Sequence, residues 1–184
     1  MQIIPILVPF MPLDRMKTLA SQLADAIDVI AKEQQWTWGK DFAIVISSDA
    51  VHYGDEDWGG KNYAPFGTGD QGYTKAVAKE NDLISTCLAG PLTAAKIDSF
   101  SFATVDRKNY KDYLWTWCGR YSVPFGLFTS YYLAKKLQLN LQGIEIGYST
   151  SLEKEPLKVN DLRMGVTAPA NKRHWVGYPA IGYR

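Results

Sequence analysis

Two short apolar runs near the start of the chain set its pattern. Residues 3–8 (Ile3-Ile4-Pro5-Ile6-Leu7-Val8) and 42–46 (Phe42-Ala43-Ile44-Val45-Ile46) are rich in β-branched side chains and bounded by turn-forming residues, which predicts buried strands. Pro5 puts the first of them at a sheet edge or in an irregular course. Between the runs, Met16, Leu19, Ala20, Leu23, Ile27 and Ile30 recur at helical spacing, predicting an amphipathic helix from an N-cap at Asp14 to about Lys32. Strand, helix and strand in this order predict a β-α-β unit with parallel strands and a right-handed crossover.

The remaining pattern alternates helices with loops and ends in strands. Residues 55–72 are dense in Gly, Asp and aromatics without a period, as in a long surface loop. A helix is predicted over 73–88 and is ended by Gly90-Pro91, with a second helix or turn over 93–102. Tyr110, Tyr113, Leu114 and Trp117 share a face of a predicted helix over 109–117, which Gly119 is placed to cap. Pro124 suits the first turn of a helix running to about Leu137. Residues 143–149 read as a strand and 175–183 as a final one, with Gly177, Pro179 and Gly182 giving it an edge position or a bulge. Residues 152–172 are polar and poorly periodic. With no repeat, low-complexity tract or linker, the pattern predicts a single α/β domain over residues 1–184.

Composition narrows the partners. At 184 residues and 46% hydrophobic, the chain is long enough for a sizeable core. A net charge of +1 gives no electrostatic case for nucleic acid or an anionic membrane, and the nearest basic cluster is Lys172-Arg173-His174. No apolar segment is long enough to span a bilayer and no basic leader precedes the first strand. Cys87 and Cys118 are the two cysteines, too few for a disulfide framework and without Cys-x-x-Cys spacing. The expectation is a cytoplasmic protein.

Candidate chemistry concentrates where the second apolar run stops. In Ser47-Ser48-Asp49-Ala50-Val51-His52-Tyr53-Gly54, an acid and one of two histidines stand three positions apart, so a turn brings them to one face. Asp49 then either orients the imidazole of His52 and raises its basicity, or caps a helix beside a surface histidine. Cys118 lies in Trp117-Cys118-Gly119-Arg120, where Arg120 and a following helix N-terminus favour the thiolate; the alternative is a cysteine buried for packing. Cys87, on an apolar helical face, reads as core, and His174 as exposed or structural. Tyr148-Ser149-Thr150-Ser151 ends a strand in hydroxyls that either line a pocket or form a turn. Gly67-Thr68-Gly69 does not join a strand to a helix as a phosphate loop does, and no Gly-x-Ser-x-Gly elbow is present.

Four segments taken in order carry a resemblance. Ile3-Ile4-Pro5-Ile6-Leu7-Val8, Ile46-Ser47-Ser48-Asp49-Ala50-Val51-His52-Tyr53-Gly54, Cys118-Gly119-Arg120-Tyr121-Ser122-Val123-Pro124 and Gly147-Tyr148-Ser149-Thr150-Ser151 resemble the Memo-like family, protein B of the AmmeMemoRadiSam system. The resemblance implies a fold related to the class III extradiol dioxygenases: a three-layer α/β sandwich with a mixed, partly parallel sheet and a pocket at one end. Carried over to this sequence, Cys118 is similar to the family's pocket cysteine, and Asp49 and His52 to its Asp-x-x-His pair. The resemblance makes Asp49 and His52 candidate catalytic residues, and His52 and Cys118 candidate ligands of a transition metal such as iron, copper or zinc. His52 would serve as ligand or general base, Asp49 as its orienter, and Cys118 as ligand or redox-sensitive thiol.

The sequence departs from the family at its start. Two further pocket histidines, in His-Ala-Gly-like and Glu-His-Ser-like segments, precede the first matching strand in the family and have no counterpart here, so the chain corresponds to the C-terminal two-thirds of the usual domain and the metal set is incomplete. A complementing N-terminal segment, a naturally shortened protein, or a homo-oligomer that completes the pocket would each account for this. The first also predicts an uncovered apolar face. Two functions compete: a metal-binding, redox-active pocket acting on a small aromatic or phenolic ligand, and a non-enzymatic binding module. The latter would hold a peptide, partner protein or small molecule against Trp115, Trp117, Tyr121 and a Trp58–Trp175 group.

Overall fold

The computed structural model describes residues 2–54, 62–153 and 170–184. Helix α1 (Leu13–Gln34) follows an extended Pro12, with Asp14 in its first turn and Lys32 in its last, each matched in sign to the helix dipole. Gln35 ends it in the left-handed conformation, φ 56°, its amide reaching back to the carbonyls of Ala31 and Lys32. The helix forms where the spacing of Met16, Leu19, Ala20, Leu23, Ile27 and Ile30 predicts it, but its buried positions are Met16, Ala20, Ala24, Asp28 and Ala31, Ile30 is exposed, and Pro12 rather than Asp14 is the N-cap. Helix α2 (Asp70–Leu83) continues into a π-helical turn (Ile84–Leu88) and stops at Gly90, in place of one helix over 73–88. Helix α3 (Ala94–Thr104) is capped by Thr93, whose hydroxyl accepts from the amide of Lys96, and α4 (Ser122–Lys136) carries Pro124 in its first turn.

The sheet has four strands, β1 (His52–Gly54), β2 (Gly90–Pro91), β3 (Gln142–Thr150) and β4 (His174–Tyr183), in the order β1-β4-β3-β2. Every pairing is antiparallel, so the expected mixed, partly parallel sheet is not what forms. The β3–β4 pair shifts register at Glu145 to Gly147, a bulge on the partner of the glycine- and proline-bearing strand where one was expected.

The β-α-β unit fails for a physical reason visible in its two runs. Among the described residues, 3–8 join no strand, and Leu7 is 95% exposed. Residues 42–46 alternate between half-buried and exposed positions as a strand would, with Val45 84% exposed, yet among the described residues they share one bridge, Trp38–Phe42. At the end of the run, Ile46 lies on α4 instead, packed so closely on Gly126 that a methyl there would stand 2.5 Å from its Cγ1. Gly126 thus gives Ile46 a neighbour that the sequence pattern assigns to a strand. The predicted helix over 109–117 is also absent. Asp106 accepts from the amides of Lys108 and Asn109 and turns the chain, which passes through further turns and bends before residues 116–118 come beside β1.

The core joins α1, α2, α3, α4 and the inner strand faces around Tyr53, Phe100, Trp115, Trp117, Phe128 and Trp175. Arg120 is buried with its guanidinium 3.4 Å from the ring centroid of Tyr113 and flanked by Tyr121 and Phe10. Ile3, Ile4, Ile6 and Leu7 are exposed together. Among the described residues no helix is long and apolar enough to cross a membrane. Trp58, and the parts of the expected 55–72 loop and 152–172 segment at 55–61 and 154–169, lie outside the described residues.

Candidate functional site

Main-chain hydrogen bonds bring the sequence-predicted residues together. The segment 50–54 runs between β4 and residues 116–118. On one side the amide of Ala50 donates to the carbonyl of Gly177 (2.9 Å), and the amide of Gly177 to the carbonyl of Val51 (2.9 Å). On the other, His52 donates to Thr116 (2.9 Å), Cys118 to Ala50 (3.0 Å) and Gly119 to Asp49 (3.3 Å). The hydroxyl of Thr116 closes the ladder by donating to the carbonyl of His52 at 2.7 Å. Cys118 therefore stands opposite Ala50, between Asp49 and His52, although 66 positions separate His52 from Cys118 in sequence.

Strand alternation sets what faces outward. Val51 and Tyr53 are buried, so His52 projects to the opposite face and is half-buried. Gly119 is not a helix cap. A methyl at this position would stand 2.5 Å from Ser48 Oγ and 2.8 Å from Val123 Cγ2, so glycine here permits the close approach of the Cys118 turn to the end of the 42–48 segment.

Nε2 of His52 lies 3.4 Å from Oδ2 of Asp49, a long electrostatic contact rather than a short hydrogen bond. Burial pulls the imidazole below its ordinary value of 6.5; Asp49 opposes that pull and nearby His174 adds to it. The ring is neutral at neutral pH and retains a basic nitrogen. The Cys118 thiol is exposed yet pushed up, first by desolvation and then by Asp49, and Arg120 only partly offsets these. The expected thiolate is thus corrected: Arg120 is held among aromatic rings, and a carboxylate stands near the sulfur. Cys87 is buried, as its place on an apolar face predicts. Tyr178, whose phenol is raised by burial and by Asp49, joins the same surface, and no signal in the sequence marks it.

By kind, imidazole and thiol suit iron, copper or zinc. By number they fall short, because among the described residues no three His, Cys, Asp or Glu side chains gather into a set able to hold an ion. Asp49, His52 and Cys118 stand near one another without closing a coordination sphere. The aromatic wall expected of a ligand pocket is also corrected: Trp115, Trp117, Tyr121 and Trp175 are core residues, and Trp58 lies outside the described residues. A concavity of about 320 Å³ lined by Leu7, Phe10, Arg15, Leu19, Tyr110 and Phe125 includes none of the three site residues.

Compared with known protein families and with functionally described proteins, the sequence matches none.

Proposed function

We propose that this chain is a Memo-like protein whose Asp49, His52 and Cys118 form one wall of a binding pocket, with a fold related to the extradiol dioxygenases. The observation that carries this reading is the hydrogen-bonded register that sets Cys118 opposite Ala50, between Asp49 and His52. Three residues singled out for chemistry from distant parts of the sequence thereby share one surface. Asp49 orients the imidazole, His52 accepts a proton from a bound ligand, and Cys118 offers a soft donor beside them. A small molecule or peptide is the ligand class. A transition metal is the occupant suited to His52 and Cys118, and it takes its remaining donors from outside this trio. When bound, such an ion would polarise a ligand oxygen or accept an electron. The exposed Ile3, Ile4, Ile6 and Leu7 support a covering partner at the first apolar run, either a second copy or a complementing segment.

Elemental analysis of metal-replete purified protein tests the reading. Iron, copper or zinc bound to the wild type and lost in both His52→Ala and Cys118→Ser is the expected result. Metal-replete wild type that carries none, or a metal content unchanged by both substitutions, removes the metal role and leaves the non-enzymatic binding module as the better account.

A further inference from the structure

We propose that Glu80 is the positioning residue of the Asp49–His52–Cys118 surface: one buried carboxylate holds together the two segments that carry those three residues. The inference rests on the site assigned above and adds to it a member that touches no ligand.

Glu80 comes from α2 and is 0% exposed, an environment in which a carboxylate persists only with dedicated partners. Its two oxygens are divided between the two segments. Oε2 accepts from the amide of Val51, the residue next to His52, at 3.2 Å. Oε1 accepts from the indole Nε1–H of Trp115, three residues before Cys118. Both arms end on main chain or on a fully buried ring, so neither adjusts freely.

The surroundings make room for this carboxylate at specific positions. Gly177 of β4 lies against it: a methyl there would meet Tyr148 Oη at 2.4 Å and Glu80 Oε2 at 3.2 Å. The phenol of Tyr148 on β3 is pushed up, first by burial and then by the charge of Glu80. Lys79, adjacent on the same helix, stacks its ammonium 4.1 Å from the ring centroid of Trp115, the ring whose N–H Glu80 accepts. Backbone bonds already pair residues 50–52 with 116–118, but they fix only the register along the strands. Glu80 adds a tie from below the sheet that sets the tilt of one segment against the other, and with it the relation of the Cys118 thiol to His52.

The test reads the geometry of the site without any ligand. Glu80→Met replaces the carboxylate by an apolar side chain of similar length, a change that buried charged positions often tolerate. Glu80→Gln keeps one acceptor, and Trp115→Phe removes one arm alone. Iodoacetamide alkylation of Cys118, resolved from Cys87 by peptide mass analysis, is followed against pH, and the His52 ring protons are titrated by NMR. In folded Glu80→Met the Cys118 rate is expected to change by about fivefold or more, the scale of one lost buried hydrogen bond, with His52 moving back toward its ordinary value. Glu80→Gln is expected to lie between Glu80→Met and the wild type. Rates within about twofold and His52 titrations within about 0.2 unit of the wild type in the folded variants overturn the proposal. If neither Glu80 variant folds, Trp115→Phe decides by the same readouts. A metal-free wild type with shifted Glu80 variants overturns the proposed metal role alone, and bound metal with unmoved Glu80 variants overturns this inference alone.

Discussion

Replacing Trp117 by alanine is expected to lower the free energy of unfolding by about 3–5 kcal/mol, the range for removing a large aromatic side chain from a core. The indole is 1% exposed and its ring stands 4.5 Å from that of Phe100 on α3, so few neighbours can collapse into the space it leaves. Trp117 also forms the bridge to Val51 that begins the ladder under the candidate site. Its Nε1 is buried with no hydrogen-bond partner among the described residues, a cost that phenylalanine at this position would not carry. Trp117→Phe is therefore expected to retain most of the stability that Trp117→Ala loses. Urea unfolding of the two variants, with Trp36→Ala at an exposed position as control, checks the order. A loss below about 1 kcal/mol in Trp117→Ala would show that this ring does not hold the site segment to the core.

The second large effect is a pH dependence. Burial raises Glu80 from 4.5 to about 7, although its hydrogen bonds from Trp115 and Val51 and the charge of Lys79 all act to lower it. In the unfolded chain the group ionises near its ordinary value, so between about 4.5 and 7 the folded state binds more protons than the unfolded one. Its contribution to stability is fully present below 4.5 and is lost as the pH rises to about 7, by about 3 kcal/mol. His52 acts in the opposite sense. Its lowered value means that the unfolded state binds the extra proton, so stability rises with pH up to 6.5. The two slopes overlap, and the wild-type profile alone would hide both. Measured in a His52→Ala background, the difference between Glu80 and Glu80→Gln separates them: urea unfolding at pH 4.5, 5.5, 6.5 and 8 is expected to show the Glu80 protein losing stability relative to its Gln variant across the window. A constant difference at all four values would show that folding does not shift the ionisation of Glu80.

Helices were the more legible part of the sequence because their signal is local. The spacing of Met16, Leu19, Ala20, Leu23, Ile27 and Ile30 needs no partner to be read, and α1, α3 and α4 form near their predicted places. Strands are different: an apolar run reports a need for burial, not the neighbour that provides it. Of residues 42–46, Ile46 meets Gly126 of α4 rather than a strand, and residues 3–8 find no burial among the described residues, so the parallel unit inferred from both does not form. Residues 109–117 show the same ambiguity. Their apolar spacing fits a helix, yet the turn at Asp106 and the ladder to Ala50 and His52 decide for a course of turns, bends and isolated bridges.

Asp49, His52 and Cys118 were found because reactive side chains stand out in a sequence and because their segments resemble a family. Glu80 was hidden in Lys79-Glu80-Asn81-Asp82, which reads as a solvated helix face. A signal was present nonetheless. Gly72, Ala76 and Leu83 are the buried positions of α2, and Glu80 falls on the same stripe at the spacing of four that separates the first two. A charged residue on an apolar stripe is a better marker of a hidden role than a charged residue in a polar run.

The confinement of 50–54 between two hydrogen-bonded neighbours also bears on how this stretch can change through descent. Substitution at His52 alters one outward side chain and leaves its neighbours in place. An insertion of a single residue beside it would exchange the parity of the strand, turning an imidazole inward where Tyr53 now packs against Trp175, and the phenol out toward solvent. The length of the interval from Asp49 to Gly54 is therefore under tighter constraint than the identity of its exposed residue, and its chemistry is free to diversify only at constant length.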